Sequence, residues 1–95
     1  MFKIDPDILG MLIDLYGEDE QSRQAMGECG EFIAAAQNYY RAKTYGHRKE
    51  VLSDMMEEVV DVYFMMLQMR HIDPKLFDKL AEVKYEKVLR KAYGK

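Results

Sequence analysis

The stretch Glu57–Met69, EEVVDVYFMMLQM, decides how the chain is built. From Val59 to Met69 it is apolar almost all round at helical spacing, and a helix of that kind is enclosed by others. The spacing predicts a central helix from about His47 to Arg70, with Thr44-Tyr45-Gly46 as the break before it. Upstream, after the acidic turn Glu18-Asp19-Glu20, a helix to about Lys43 carries Ala25, Cys29, Phe32, Ala36 and Tyr40 at helical spacing. Both prolines share one context, IDPD at Ile4–Asp7 and IDPK at Ile72–Lys75. Asp as N-cap with Pro at the first helical position starts a helix, because proline lacks an N–H that would be unpaired there. The first such helix runs to Tyr16, with Ile8, Leu12 and Leu15 on one face, and ends at Gly17; the second runs from Pro74 towards Tyr93. There is no strand alternation, internal repeat or long linker. The expected fold is all-α, a small bundle of about four helices around a central antiparallel pair.

The chain has 95 residues, 48% of them hydrophobic, which suits one compact domain over residues 1–95. At this size about 60–65% of the unfolded chain's surface is buried, so the core is modest and apolar burial between subunits becomes attractive. One cysteine precludes an intrachain disulfide, and the start MFKIDPDILG lacks the basic and apolar regions of a signal peptide. With no run of about 20 apolar residues to span a bilayer, the expectation is a cytoplasmic protein. The net charge of −3 argues against polymeric nucleic acid as partner, but it is unevenly spread. Met1–Met66 holds 13 acids and 6 bases, and Lys79–Lys95 holds 6 bases and 2 acids.

Two acidic pairs lie inside apolar sequence: Glu28 and Glu31 in GECGEF, and Glu58 and Asp61 in the central helix. A spacing of three places both members of each pair on one helix face. Antiparallel helices joined by a turn pair residues whose numbers have a constant sum. Glu31 with Glu58 and Glu28 with Asp61 both give 89, whose half falls on the Thr44-Tyr45 step. The four carboxylates are thus expected to cluster about 20 Å along the helix pair from the turn. Gathered carboxylates repel one another and lose hydration, and a divalent cation compensates both. An all-oxygen donor set selects Mg²⁺, Mn²⁺ or Ca²⁺ over zinc, and neither pair has the Glu-x-x-His of a di-iron bundle. Mg²⁺ is the expected ion, with Mn²⁺ as a substitute. The plainer reading is that each pair faces water or a base, yet no base lies three or four positions from Glu28 or Glu31.

Glu28-x-x-Glu31 followed after 26 residues by Glu58-x-x-Asp61 resembles the metal-binding signature of the MazG-like all-α NTP pyrophosphatases. ECGEFIAAA and MEEVVDVYFMML resemble the two central helices of that family, and the likeness covers roughly residues 21–91. Family members commonly carry a further glutamate where this chain has Gly27. The resemblance implies Mg²⁺-dependent hydrolysis of a nucleoside or deoxynucleoside triphosphate to the monophosphate and pyrophosphate. Glu28, Glu31, Glu58 and Asp61 would be the metal-binding and catalytic residues, one of them also accepting a proton from the attacking water. It also implies assembly into homodimers or homotetramers. Lys84, Lys87, Lys91 and Lys95 form a narrow stripe on the last helix. The first three are the candidate phosphate contacts by the same resemblance, Arg90 a weaker one, acting within the subunit or on its neighbour.

Two other functions fit the residues: a metal- and nucleotide-binding bundle without turnover, and an acidic helical module that binds a basic protein. Cys29 falls on the apolar stripe and reads as a small core residue. His47 and His71 read as helix-terminal or surface residues. The run Met65-Met66-Leu67-Gln68-Met69 suits core or subunit interface, and Tyr39, Tyr40 and Tyr63 suit packing as well as stacking on a base.

Overall fold

The computed structural model describes residues 3–94, with the backbone alone at Tyr45. It consists of α1 (Pro6–Tyr16), α2 (Glu18–Arg41), α3 (Tyr45–Ile72) and α4 (Pro74–Ala92), with no strand among the described residues. Both Asp-Pro starts are capped as expected: Asp5 accepts from the Asp7 N–H at 2.9 Å, and Asp73 from the Leu76 N–H at 3.0 Å. Such caps stabilise a helix by about 1 kcal/mol each.

Two boundaries differ from expectation. Glu18, Asp19 and Glu20 form the first turn of α2 instead of preceding it. Negative side chains are favoured there because the first N–H groups of a helix are unpaired and point towards them. Gly17 alone separates α1 from α2, at φ +90°, a conformation that glycine adopts without steric cost. α3 begins inside the Thr44-Tyr45-Gly46 break and continues to Ile72, leaving only Asp73 before α4.

α2 and α3 pack antiparallel, and α1 lies against both, chiefly against α3. Among the described residues Ile13, Ala25, Ala42, Val51 and Met65 are the buried apolar ones, and no large side chain is fully shielded. Gln21 and Gln68 are buried among them, the Gln21 Nε2 donating to the Gln68 Oε1 at 2.7 Å. Their numbers also sum to 89, so the register that faces Glu31 with Glu58 holds ten residues farther from the turn. Replacing either amide by an apolar residue leaves its partner buried and unpaired, a loss of about 1–3 kcal/mol.

Three helices form the body, and α4 leaves it. α4 packs on α3 alone, and thinly; of its residues only Leu89 is even half-buried. Arg70 grips Asp78 across the corner, Nε to Oδ1 at 3.0 Å and Nη2 to Oδ2 at 2.8 Å, and this donation holds the Asp78 carboxyl below its usual pKa. No described helix is long and apolar enough to cross a membrane.

At the α1–α3 contact, His71 lies against Gly10 and its Nε2 is 3.5 Å from Asp14 Oδ2. A Cβ on residue 10 would meet the imidazole Nδ1 and come within 2.6 Å of its Cγ. Gly10→Ala should therefore destabilise by about 1 kcal/mol or more through overpacking. In a His71→Ala background the same change should stabilise by up to about 1 kcal/mol, since helix propensity is then unopposed. Urea melts of the four proteins of this double-mutant cycle measure the reversal of sign.

Candidate metal site

α2 presents Glu28 and Glu31, one turn apart, to the face of α3 that carries Glu58. One carboxylate oxygen from each of the three lies within 4.8 Å of the others. Glu28 and Glu58 are half-buried between the helices, and Glu31 stands at the exposed edge. The Oε2 atoms of Glu28 and Glu58 are shielded from solvent without any hydrogen-bond partner. An oxygen that has lost its water and gained no donor is destabilising for the fold, and most so when it is charged.

The electrostatics follow. Burial raises the Glu28 pKa first, followed by the charges of Glu31 and Asp61. Burial likewise leads for Glu58, followed by the charges of Glu31, Asp61 and Glu28. Asp61 is exposed and lies outside the close group of three, although its charge is felt by both half-buried glutamates. Its side chain is one methylene shorter than that of glutamate. Three of the four expected carboxylates thus converge and the fourth flanks them.

No lysine or arginine is ion-paired with these four acids among the described residues; the ion pairs are Arg23–Glu20, His47–Glu50, Arg70–Asp78 and His71–Asp14. The oxygen-only donor set fits Mg²⁺, Mn²⁺ or Ca²⁺, and the two unpaired Oε2 atoms supply ready donors. Cys29 is half-buried and not among the converging groups, in keeping with a packing role.

Lys84, Lys87 and Lys91, with Arg90, are exposed on α4, which does not pack on α2. Nothing within one chain joins them to the carboxylates, because α4 departs at the Asp73 corner. Lys95 lies outside the described residues. The two histidines sit near helix ends as expected. Of the tyrosines, Tyr39 is packed, with the Arg48 guanidinium 4.3 Å above its ring, while Tyr40 is 82% exposed and Tyr63 49%. The Arg48–Tyr39 stack was not anticipated, although the antiparallel pairing places the two residues near one another.

Comparison with known protein families, curated proteins and solved structures finds no match to this chain.

The raised pKa values fix a sign. A carboxyl whose folded pKa lies above its unfolded value contributes stability below the unfolded pKa and loses it as pH rises through the folded pKa. The metal-free protein therefore loses the contribution of Glu28 and Glu58 as pH rises above their ordinary carboxyl range. Glu31→Gln removes a charge that acts on both. It should raise the metal-free melting temperature at pH 8 and shrink the further rise produced by millimolar Mg²⁺, as thermal melts with chelator and with Mg²⁺ would show.

Proposed function

We propose that the chain hydrolyses a nucleoside or deoxynucleoside triphosphate to the monophosphate and pyrophosphate at a Mg²⁺ site built from Glu28, Glu31, Glu58 and Asp61. The observation that carries this reading is the convergence of Glu28, Glu31 and Glu58 with two shielded, unpaired oxygens. Such a cluster is unfavourable alone and favourable around a cation that also binds phosphate oxygens. Bound Mg²⁺ would neutralise triphosphate charge and lower the pKa of a water.

The protein's own side chains have separable tasks. Glu28 and Glu58 hold the inner end of the site, where burial keeps their lone pairs from water. Glu31, at the rim, and Asp61, beside the cluster, are the accessible carboxylates and the better placed to accept a proton from an attacking water. Lys84, Lys87 and Lys91 would supply the positive charge that a triphosphate requires beyond the metal by contacting phosphate at the site of a neighbouring subunit, since α4 does not approach the carboxylates of its own chain.

Glu58→Gln or Asp61→Asn should remove Mg²⁺-dependent pyrophosphate release, by orders of magnitude in kcat, with circular dichroism unchanged. Assay against a panel of canonical and damaged (d)NTPs measures this and the base preference together; a wild type that binds Mg²⁺ and nucleotide but releases no pyrophosphate would identify a binding protein instead. Lys87→Ala or Lys91→Ala should raise KM with Mg²⁺ affinity little changed, which titration calorimetry and steady-state kinetics separate.

A further inference from the structure

The turn end of the α2–α3 hairpin is basic in an otherwise acidic body. Residues 32–49 carry Arg41, Lys43, Arg48 and Lys49 and no acid, and these are four of the six bases in residues 1–66. All four are exposed, and none is ion-paired among the described residues. Helix energetics accounts for Arg41 alone, at the end of α2, where a cation is favoured. Arg48 and Lys49 stand near the start of α3, where a cation is disfavoured, and the first turn holds no acid to offset them. The chain's net charge of −3 is an average, whereas an approaching polyanion meets the local field of these four groups.

At the same end two tyrosines are each coupled to an arginine. One groove, of about 280 Å³, is lined by Tyr39, Arg48, Lys49 and Leu52; a second, of about 440 Å³, is lined by Tyr40 and Arg41 with Ile33 and Ala36. In the first, the Arg48 guanidinium lies 4.3 Å above the Tyr39 ring. Stacking fixes its plane, so that its N–H edge is free for a phosphate and its outer face for a flat ring. In the second, Tyr40 is 82% exposed and the exposed Arg41 stands next to it. A ligand matched to both grooves must repeat, offering an anion and a flat apolar ring twice along one chain. An acidic peptide supplies the charge without the rings, and a free nucleotide supplies one ring. A nucleic-acid strand whose bases are unpaired supplies both.

We propose that the turn end of the hairpin binds single-stranded nucleic acid, with Arg41, Lys43, Arg48 and Lys49 on its phosphates and with Tyr40 and the Tyr39–Arg48 stack as shelves for its bases. This site stands apart from the carboxylates. Arg48 is separated from Glu58 by about 15 Å of helix and from Asp61 by about 140° around α3. The proposal therefore does not rest on the chemistry assigned to the acids.

Fluorescence anisotropy of a labelled oligothymidylate, with chelator present to keep metal from the carboxylates, tests it. In about 50 mM salt a strand of about 12 nucleotides should bind at micromolar protein, and log K should fall against log[salt] with a slope of about −3, about −0.7 for each of four phosphate contacts. Lys43→Ala with Lys49→Ala, both exposed and unpaired, should weaken binding by about tenfold or more and halve the slope, with circular dichroism unchanged. Tyr40→Ser should weaken it by about fivefold with the slope unchanged, because stacking releases no counterions. Absence of binding overturns the proposal. So does equal affinity for the same strand paired with its complement, or for a polyglutamate of the same charge, since either shows that the bases are not read. Loss of binding in Lys84→Ala with Lys87→Ala, and not in Lys43→Ala with Lys49→Ala, would move the site to α4 and overturn it as well.

Discussion

Antiparallel packing of α2 on α3 across a three-residue connection is the constraint from which the rest follows. Once the turn is fixed, every residue on α2 has a defined opposite on α3. The buried Gln21–Gln68 hydrogen bond makes a slip of register costly, because a displaced pair would leave two amides without partners away from water. The same register forces Glu28 and Glu31 against Glu58. The carboxylates do not choose their neighbours; apolar packing and one amide pair choose for them.

Stability and site chemistry consequently oppose each other along one interface. Ala25, Val51 and Met65 gain from leaving water, and the acids beside them lose. Glu28 and Glu58 are each buried far enough to strand an oxygen, yet Glu31 and Asp61 remain in contact with solvent. This gradient from shielded to open gives the cluster a dry inner end and a wet rim, so that a cation placed among the inner oxygens would be reached from one side only.

The helices were legible in the sequence because their signals are local. Asp-Pro caps, Gly17 and the spacing of apolar residues mark starts, stops and faces without reference to other parts of the chain. The carboxylate cluster was legible because the constant-sum rule turns a one-dimensional spacing into a contact. Asp61 was placed too centrally by that rule, which pairs positions and takes no account of side-chain length. The departure of α4 was not legible: an amphipathic helix after a one-residue corner reads the same whether its apolar side meets its own chain or another. Whether Tyr40 and Tyr63 pack or stay open was not decided by the sequence for a like reason, since periodicity reports that a face is apolar and not what covers it; both are exposed.

α1 closes what the turn leaves open. Residues 42–44 tie α2 to α3 at one end, and at the other α1 joins the start of α2 through Gly17 and the end of α3 through the His71–Asp14 contact. The two long helices form a hairpin with a clasp across its mouth, and the carboxylates sit between hinge and clasp. Mutual repulsion would ordinarily be relieved by splaying the helices apart by a few ångströms; here both ends are held, so the load stays on the cluster. Loosening the clasp would let the acids separate and rehydrate, and the carboxyls of Glu28 and Glu58 would return towards their ordinary pKa although neither had been touched.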